Sequence, residues 1–448
     1  MTTPSHRPTA VLEFLHDTTF ADLPAVAVDN GLRWLLDLLG VAAAGSTTDL
    51  SQIIRRHVVE HFAAGGRGAP LLFDGRIVSP AGAALANGMT IDAIDAHDGH
   101  NLTKGHTGCH QLPALMALVA AEGRTDAEEF LTALIVGYEF ATRAGVALHE
   151  SACDYHTSGA WGAVGCAGLG ARILGLDHAT SFEALGIAEY HGPRSQMMRV
   201  IDHPTMLKDG SGWGAMAGVS AAYLAADGFT GAPAITVNDP ALDHIWSDLG
   251  SHWIIADQYY KPHPVCRWAQ PSVEAALTLR REHDVQTADI ERVEVATFHE
   301  AARLATAEPE TTEQAQYSLP FPVAAVLTRG RLGADEITSG LQDEVIRSLS
   351  RRVVITEDDA HNVAFPARRF ARVTLVLHDG RRLTSDDTEP RGDPRGELAV
   401  GDAEVRAKFH ALATPIVGAD RAHAIESAIA GLLTAGLDPL LDAITAAP

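Results

Sequence analysis

The sequence predicts a mainly α-helical protein, with a large all-helical domain and a smaller α+β domain inserted before the C-terminal helices. Three observations carry this reading. The 448 residues exceed what one ordinary hydrophobic core organises, so two domains are expected. Up to about residue 265, apolar residues recur at three- and four-residue spacing with almost no period-two alternation. Alternation sets in only after Cys266 and gives way to helical spacing again from Asp402. The expected division is residues 1–266 with 401–448 for the helical domain, and 267–400 for the α+β domain.

In chain order, helical spacing runs through VLEFLHDTTFADLPAVAVDNGLRWLLDLLGVAAAG, where Asp22 and Pro24 mark a helix start. SQIIRRHVVEHFAA is a second helix, stopped by Gly65 and Gly66, and APLLFDGRIVSP is a short extended piece. Helices follow at LPALMALVAAE and at DAEEFLTALIVGYEFATRAGVALH, the second begun by Thr125 and Asp126. In YHTSGAWGAVGCAGLGARILGLD, Gly and Ala recur closely enough for another backbone to approach, as in a central packed helix. Beyond the helix SVEAALTLRREH, the segments IERVEVATFH, RRVVITED, FARVTLVLHDG and RRLTSD read as strands, the last two as a hairpin around Asp379–Gly380. VRAKFHALATPI, AHAIESAIAGLLTAGL and PLLDAITA return to helix and most simply rejoin the N-terminal part.

The formal charge of −23 argues against nucleic-acid binding and against attraction to anionic membranes. It also requires a local basic pocket for any anionic substrate. The four cysteines are widely spaced without a CxxC pair, which suggests reduced thiols in a cytoplasmic protein. The N-terminus lacks the apolar run of a signal peptide. No uninterrupted apolar run of ~20 residues predicts a membrane span.

One polar stretch stands out between apolar, alanine-rich flanks: DAHDGHNLTKGHTGCHQLP, from Asp95 to Pro113. It holds Asp95, Asp98, His97, His100, His106, His110 and Lys104 around three glycines. Histidines titrate near neutral pH and carboxylates can orient or charge them, so such a cluster suits a cavity better than a core. Tyr155–His156–Thr157 opens the small-residue helix. Lys208 precedes the glycines of MLKDGSGWGAM, a turn that can expose backbone N–H groups to a carboxylate or phosphate. KPHPVCRW places His263 and Arg267 at the domain boundary, and RGDP at Arg391–Pro394 reads as a turn. Metal binding is the rival chemistry, with His97, His100 and His106 as its ligand set. His106 and His110 have the spacing of a helical zinc pair, but Gly105 and Gly108 speak against a helix there, and no zinc signature is present. No metal is therefore expected. GxGxxG, Walker A and GxSxG motifs are also absent.

The order of these patches resembles the MmgE/PrpD family over essentially the whole chain. DAHDGH with His106 and Leu112–Pro113 is similar to the family's DFDDTH…HP…LP signature. The small-residue helix, the lysine of KxLHAG at Lys208 and the KPYPxCR segment at KPHPVCRW follow in the family's order. The resemblance implies a helical domain with a smaller α+β domain, a homodimer, catalysis without a cofactor and a site at the domain interface. It implies Asp95, His106, His156 and Lys208 as catalytic residues, and His97, His100, Lys104, Arg267 and Gln270 are the expected substrate contacts. The family includes 2-methylcitrate dehydratase, cis-aconitate decarboxylase and iminodisuccinate epimerase. This chain departs from the pattern at His97 and Gly99, after Lys208, where DGSGW lacks the family's histidine, and at Gln270, which replaces the final histidine of the family's KPYPxCRxTH pattern.

The chemistry this implies is removal of a proton next to a carboxylate of a small di- or tricarboxylate, the carbanion being held by cations placed in advance. Epimerisation needs only a base on each face of one carbon, so the missing histidines place it ahead of dehydration and decarboxylation. A non-catalytic carboxylate-binding protein is the remaining alternative.

Overall fold

The computed structural model describes residues 7–394 and 396–446. Pro24 caps a long apolar helix, α1 (Ala25–Gly45), and Ser79 with Pro80 opens α2 (Pro80–Asp92), as their sequences require. α3 (Gly108–Glu122) starts earlier than its apolar run suggests, with Pro113 inside it. α4 (Ala127–Ser151) is capped by Asp126, whose carboxylate accepts from the Glu129 N–H at 2.7 Å. α5 (Ser158–Leu174), α6 (His178–His191) and α7 (Ser211–Ala226) complete the body, and α5 and α7 pack most intimately. Their glycines allow this: a Cβ on Gly159 would stand 2.2 Å from the Gly210 oxygen, and one on Gly214 would stand 2.4 Å from the Gly159 oxygen.

α4 is long and apolar enough to cross a membrane, although Glu139 and Arg143 interrupt it. In this fold 94% of its apolar window is buried inside the protein. Glu139 and Arg143 pair there at 2.5 Å, and Glu139 also accepts the N–H groups of Ile254 and Ile255 at 3.0 and 2.8 Å.

The alternating segments form one four-stranded sheet. β1 (Ile290–Thr297) lies parallel to β2 (Val353–Glu357) and antiparallel to β3 (Ala371–Leu377), and β4 (Arg382–Thr384) closes the β3 hairpin. Val293 stands opposite Val353 and Val295 opposite Val373. α8 (Gln270–His283) and α9 (Pro320–Arg329) pack against each other, and α8 also packs on β3. After the sheet, α10 (Asp402–Val417) returns to α1. Phe409 sits against Gly40, and Lys408 meets the buried Asp37 at 2.8 Å.

Candidate active site

α2 ends at Asp92, and the chain turns at once through Asp95, whose φ of 49° lies in the left-handed region. The turn brings the side chains of Asp92, Asp95, His97 and Asp98 together in the interior, all four buried. His97 Nε2 is 3.2 Å from Asp92 Oδ1, and the His97 and His106 rings meet edge to face at 4.5 Å. His106 stands just before α3, and its Nδ1 donates to the Asp98 main-chain oxygen at 2.6 Å. A carbonyl only accepts, so Nδ1 carries the proton and the neutral ring keeps its lone pair on Nε2. That Nε2 lies 3.8 Å from Asp95 Oδ1, and the same oxygen accepts from Lys261 Nζ at 2.6 Å.

Lys208 lies in the turn before α7, also at a left-handed φ of 52°. Its ammonium donates to the Gln316 side-chain oxygen and stands 4.9 Å from the centre of the Tyr317 ring. The next residue, Asp209, accepts the Ser158 hydroxyl, which itself accepts the His106 N–H at 2.9 Å. One hydroxyl at the start of α5 thus ties the His106 loop to the Lys208 turn. Gln316 reaches back to the Ala93 oxygen at 3.0 Å, so the segment before α9 closes over the end of α2.

Burial disfavours every charge in this cluster, and neighbours decide which ones survive. Burial, helped by His97 and Lys261, holds His106 well below the ordinary histidine value, so it is neutral at pH 7. For Asp95, burial works upward but Lys261 and Lys208 outweigh it and keep the carboxylate charged. For Asp92, burial is likewise outweighed by the His97 hydrogen bond and the Lys208 charge. Burial and the Asp92 charge push Asp209 up to about 8, and burial pushes Asp98 up to about 6.

Asp95, His97, His106 and Lys208 therefore come together, while the other expected residues do not join them through their side-chain hydrogen bonds. His156 precedes the Thr157 cap of α5, faces the Asp154 main-chain oxygen at 2.9 Å and lines a separate cavity of about 380 Å³ with Glu189 and Arg194. His100 is buried and pushed down to about 4 by that burial, with Nδ1 unpartnered among the described residues. Lys104 Nζ lies over the Tyr155 ring at 4.2 Å. Arg267 and Gln270, expected on substrate, instead hold main chain. Arg267 donates to the Tyr260, Arg391 and Pro390 oxygens at 3.1, 2.6 and 3.3 Å, and Gln270 to the His263 and Val265 oxygens at 3.1 and 3.0 Å. They build the loop that carries Lys261.

Sequence reasoning misses Asp92, Lys261, Gln316 and Tyr317 as members of this cluster. Asp92 reads as the last residue of an alanine-rich helix and Lys261 as part of a rigid linker. No polar run marks Gln316 and Tyr317. Proline-fixed extension with a lysine at its head is the one local signal that points to Lys261.

The ligand atoms of Asp95, His97 and His106 lie within 4.8 Å of one another, as do those of Asp92, His97 and Cys109. Lys261 already neutralises the carboxylate of the first group. In the second, burial pushes the Cys109 thiol well above its ordinary value, so it is not an activated nucleophile. We assign no metal ligand here. The His106/His110 spacing is not a helical pair, because α3 begins at Gly108 and His110 packs its ring against Trp161 at 4.9 Å.

The build is mainly helical, and the buried cluster sets a neutral histidine beside a charged carboxylate held by Lys261. The chain belongs to the MmgE/PrpD family: residues 10–244 match the MmgE/PrpD N-terminal domain and residues 263–432 the MmgE/PrpD C-terminal domain. A cis-aconitate decarboxylase-like protein, oryM of Aspergillus oryzae, is 23% identical over 464 residues, covering 92% of each chain.

Proposed function

We propose that the protein is a lyase acting on a small di- or tricarboxylate, breaking a bond at the carbon next to a carboxylate by acid–base catalysis. His106 carries the reading: its Nδ1–H is held by the Asp98 main-chain oxygen, which leaves an unprotonated Nε2 beside Asp95, itself paired with Lys261. A hydro-lyase would use that lone pair to take a proton, and the carbanion would expel hydroxide from the neighbouring carbon. In a decarboxylase the electron pair of the breaking C–CO₂ bond would stay on carbon as CO₂ departs, and a proton from solvent would then add to that carbanion. In both, charge develops on the remaining carboxylate, and a cation fixed in advance stabilises it. Lys208 is that cation. Its ammonium rests on the Gln316 side-chain oxygen, which a substrate carboxylate oxygen would replace.

The similarity to a cis-aconitate decarboxylase-like protein favours these lyase outcomes over the epimerisation that the missing histidines suggest. The test is incubation in D₂O with cis-aconitate and with 2-methylcitrate, followed by NMR. Loss of CO₂ from the first or olefin formation from the second supports a lyase. Deuterium entering a substituted succinate with neither change would return the reading to an epimerase. No exchange with any of them would leave the carboxylate-binding alternative.

A further inference from the structure

We propose that Lys261 is a positioning residue for this site: its ammonium locks Asp95 as an anion in place and keeps that anion from drawing a proton onto His106. The proposal rests on the reading of His106 as the proton carrier. Lys261 is fully buried, and among the described residues its one side-chain hydrogen bond is the 2.6 Å contact with Asp95 Oδ1. Its backbone has little freedom. Tyr259 pairs with Gly99, the Tyr260 N–H donates to the Gly392 oxygen at 2.8 Å, and Pro262 and Pro264 fix the path beyond. The residue is thus presented to Asp95 by a braced segment.

The geometry makes Lys261 and His106 competitors for one oxygen. Lys261 Nζ holds Asp95 Oδ1 at 2.6 Å, and His106 Nε2 approaches the same atom to 3.8 Å. A buried ion pair is stable only while both partners remain, and a lone buried carboxylate beside an imidazole favours the imidazolium. With Lys261 in place, the nearer cation satisfies the anion and Nε2 keeps its lone pair. The other groups facing His106 do not replace this. His97 meets it edge to face, the Tyr259 ring lies 6.4 Å away, the Asp98 carbonyl holds Nδ1, and Ser158 holds its main chain. Lys208, from the α7 side, bears on Asp95 and Asp92 but is bonded to Gln316.

Carbethoxylation of His106 by diethyl pyrocarbonate, followed by peptide mass spectrometry across roughly pH 5 to 8, reads the free base without any substrate. Wild-type His106 is expected to stay reactive to the acid end of that range. In Lys261→Gln the midpoint should rise by at least one unit, about tenfold slower modification on the acid side. Lys261→Arg keeps the charge and should retain the wild-type profile. An unshifted profile in Lys261→Gln, or an equal shift in Lys261→Arg, overturns the proposal. Should Lys261→Gln fail to fold, the Asp95→Asn/Lys261→Gln double variant carries the test. It removes anion and cation together, and a raised midpoint there also overturns the proposal. None of these outcomes bears on proton abstraction itself, which the deuterium experiment reads separately.

Discussion

Tyr259 occupies the space that a side chain at position 99 would need: a Cβ on Gly99 would stand 2.4 Å from both Cζ and Oη of the tyrosine. The two residues also exchange main-chain hydrogen bonds, from the Gly99 N–H at 3.2 Å and from the Tyr259 N–H at 2.6 Å. This clamp joins the polar loop to the segment carrying Lys261. The ring cannot readily give way, because the Arg267 guanidinium lies 4.5 Å from its centre.

Gly99→Ala should therefore destabilise the fold by about 1–3 kcal/mol, the usual scale of overpacking. Urea unfolding of Gly99→Ala, Tyr259→Ala and the double variant would read it. The double variant should lose less than the two single losses combined, since removing the ring removes the clash. Strict additivity would show that the contact does not constrain position 99.

Lys208→Ala is expected to lower kcat/KM by at least ~3 kcal/mol of transition-state stabilisation, about 150-fold. Lys208→Arg separates pairing from proton transfer, because arginine stays protonated. Substantial activity in the arginine variant would assign Lys208 to binding and leave His106 as the base. Near-wild-type kinetics in the alanine variant would remove Lys208 from the site.

Acid should destabilise the protein below neutrality. Burial pushes His100, His110 and His149 down to about 4, 3 and 4, and His106 lies well below its ordinary value too. Their unfolded forms bind protons from about 6.5 downward. The unfolded state therefore gains protons first, and stability is lost as pH falls from about 6.5 toward 4. Asp98 and Asp209, raised to about 6 and about 8, work in the opposite direction. Asp37 and Glu139 are also raised by burial, and His16 and His156 are also lowered, so lowered histidines still outnumber raised acids, six to four, and the net is a loss of stability in that window. A urea midpoint that does not fall on going from about pH 6.5 to 4.5 would contradict this.

Asp209→Asn should be nearly silent at about pH 4 and stabilising relative to wild type by a margin that grows up to about pH 8. The folded wild type holds a proton on Asp209 up to about 8, whereas the unfolded chain releases it near 4, so wild-type stability declines across that window. Asparagine has no proton to lose and can still accept the Ser158 hydroxyl. Melting temperatures at the two pH values check the difference, and parallel profiles would place the Asp209 proton elsewhere.

We propose that the chain assembles as a homodimer. Tyr190, Leu207, Trp213 and Phe229, in or next to α6 and α7, leave 77, 69, 41 and 50% of their surface exposed, apolar surface that a second copy could cover. Light scattering at micromolar concentration should give twice the chain mass, and a monomer would refute it.

Much of the protein was decided locally and could be read from the sequence. The shift from three- and four-residue spacing to alternation at IERVEVATFH depends only on which face of an element meets the core, so β1 to β4 fall where the pattern puts them. The polar run from Asp95 to His106 likewise declares itself, because so many titratable groups between apolar helices have no packing use. Only the tertiary structure decided which of these groups work together. His97 and His106 turn into the cluster while His110 turns to Trp161, a choice made by where α3 begins and by the left-handed turn at Asp95. Arg267 and Gln270 became supports of a loop because the nearest acceptors to them are main-chain oxygens. Lys261 and Gln316, far away in sequence, complete the site because an ion pair and a hydrogen bond depend on distance in space, which no local pattern records.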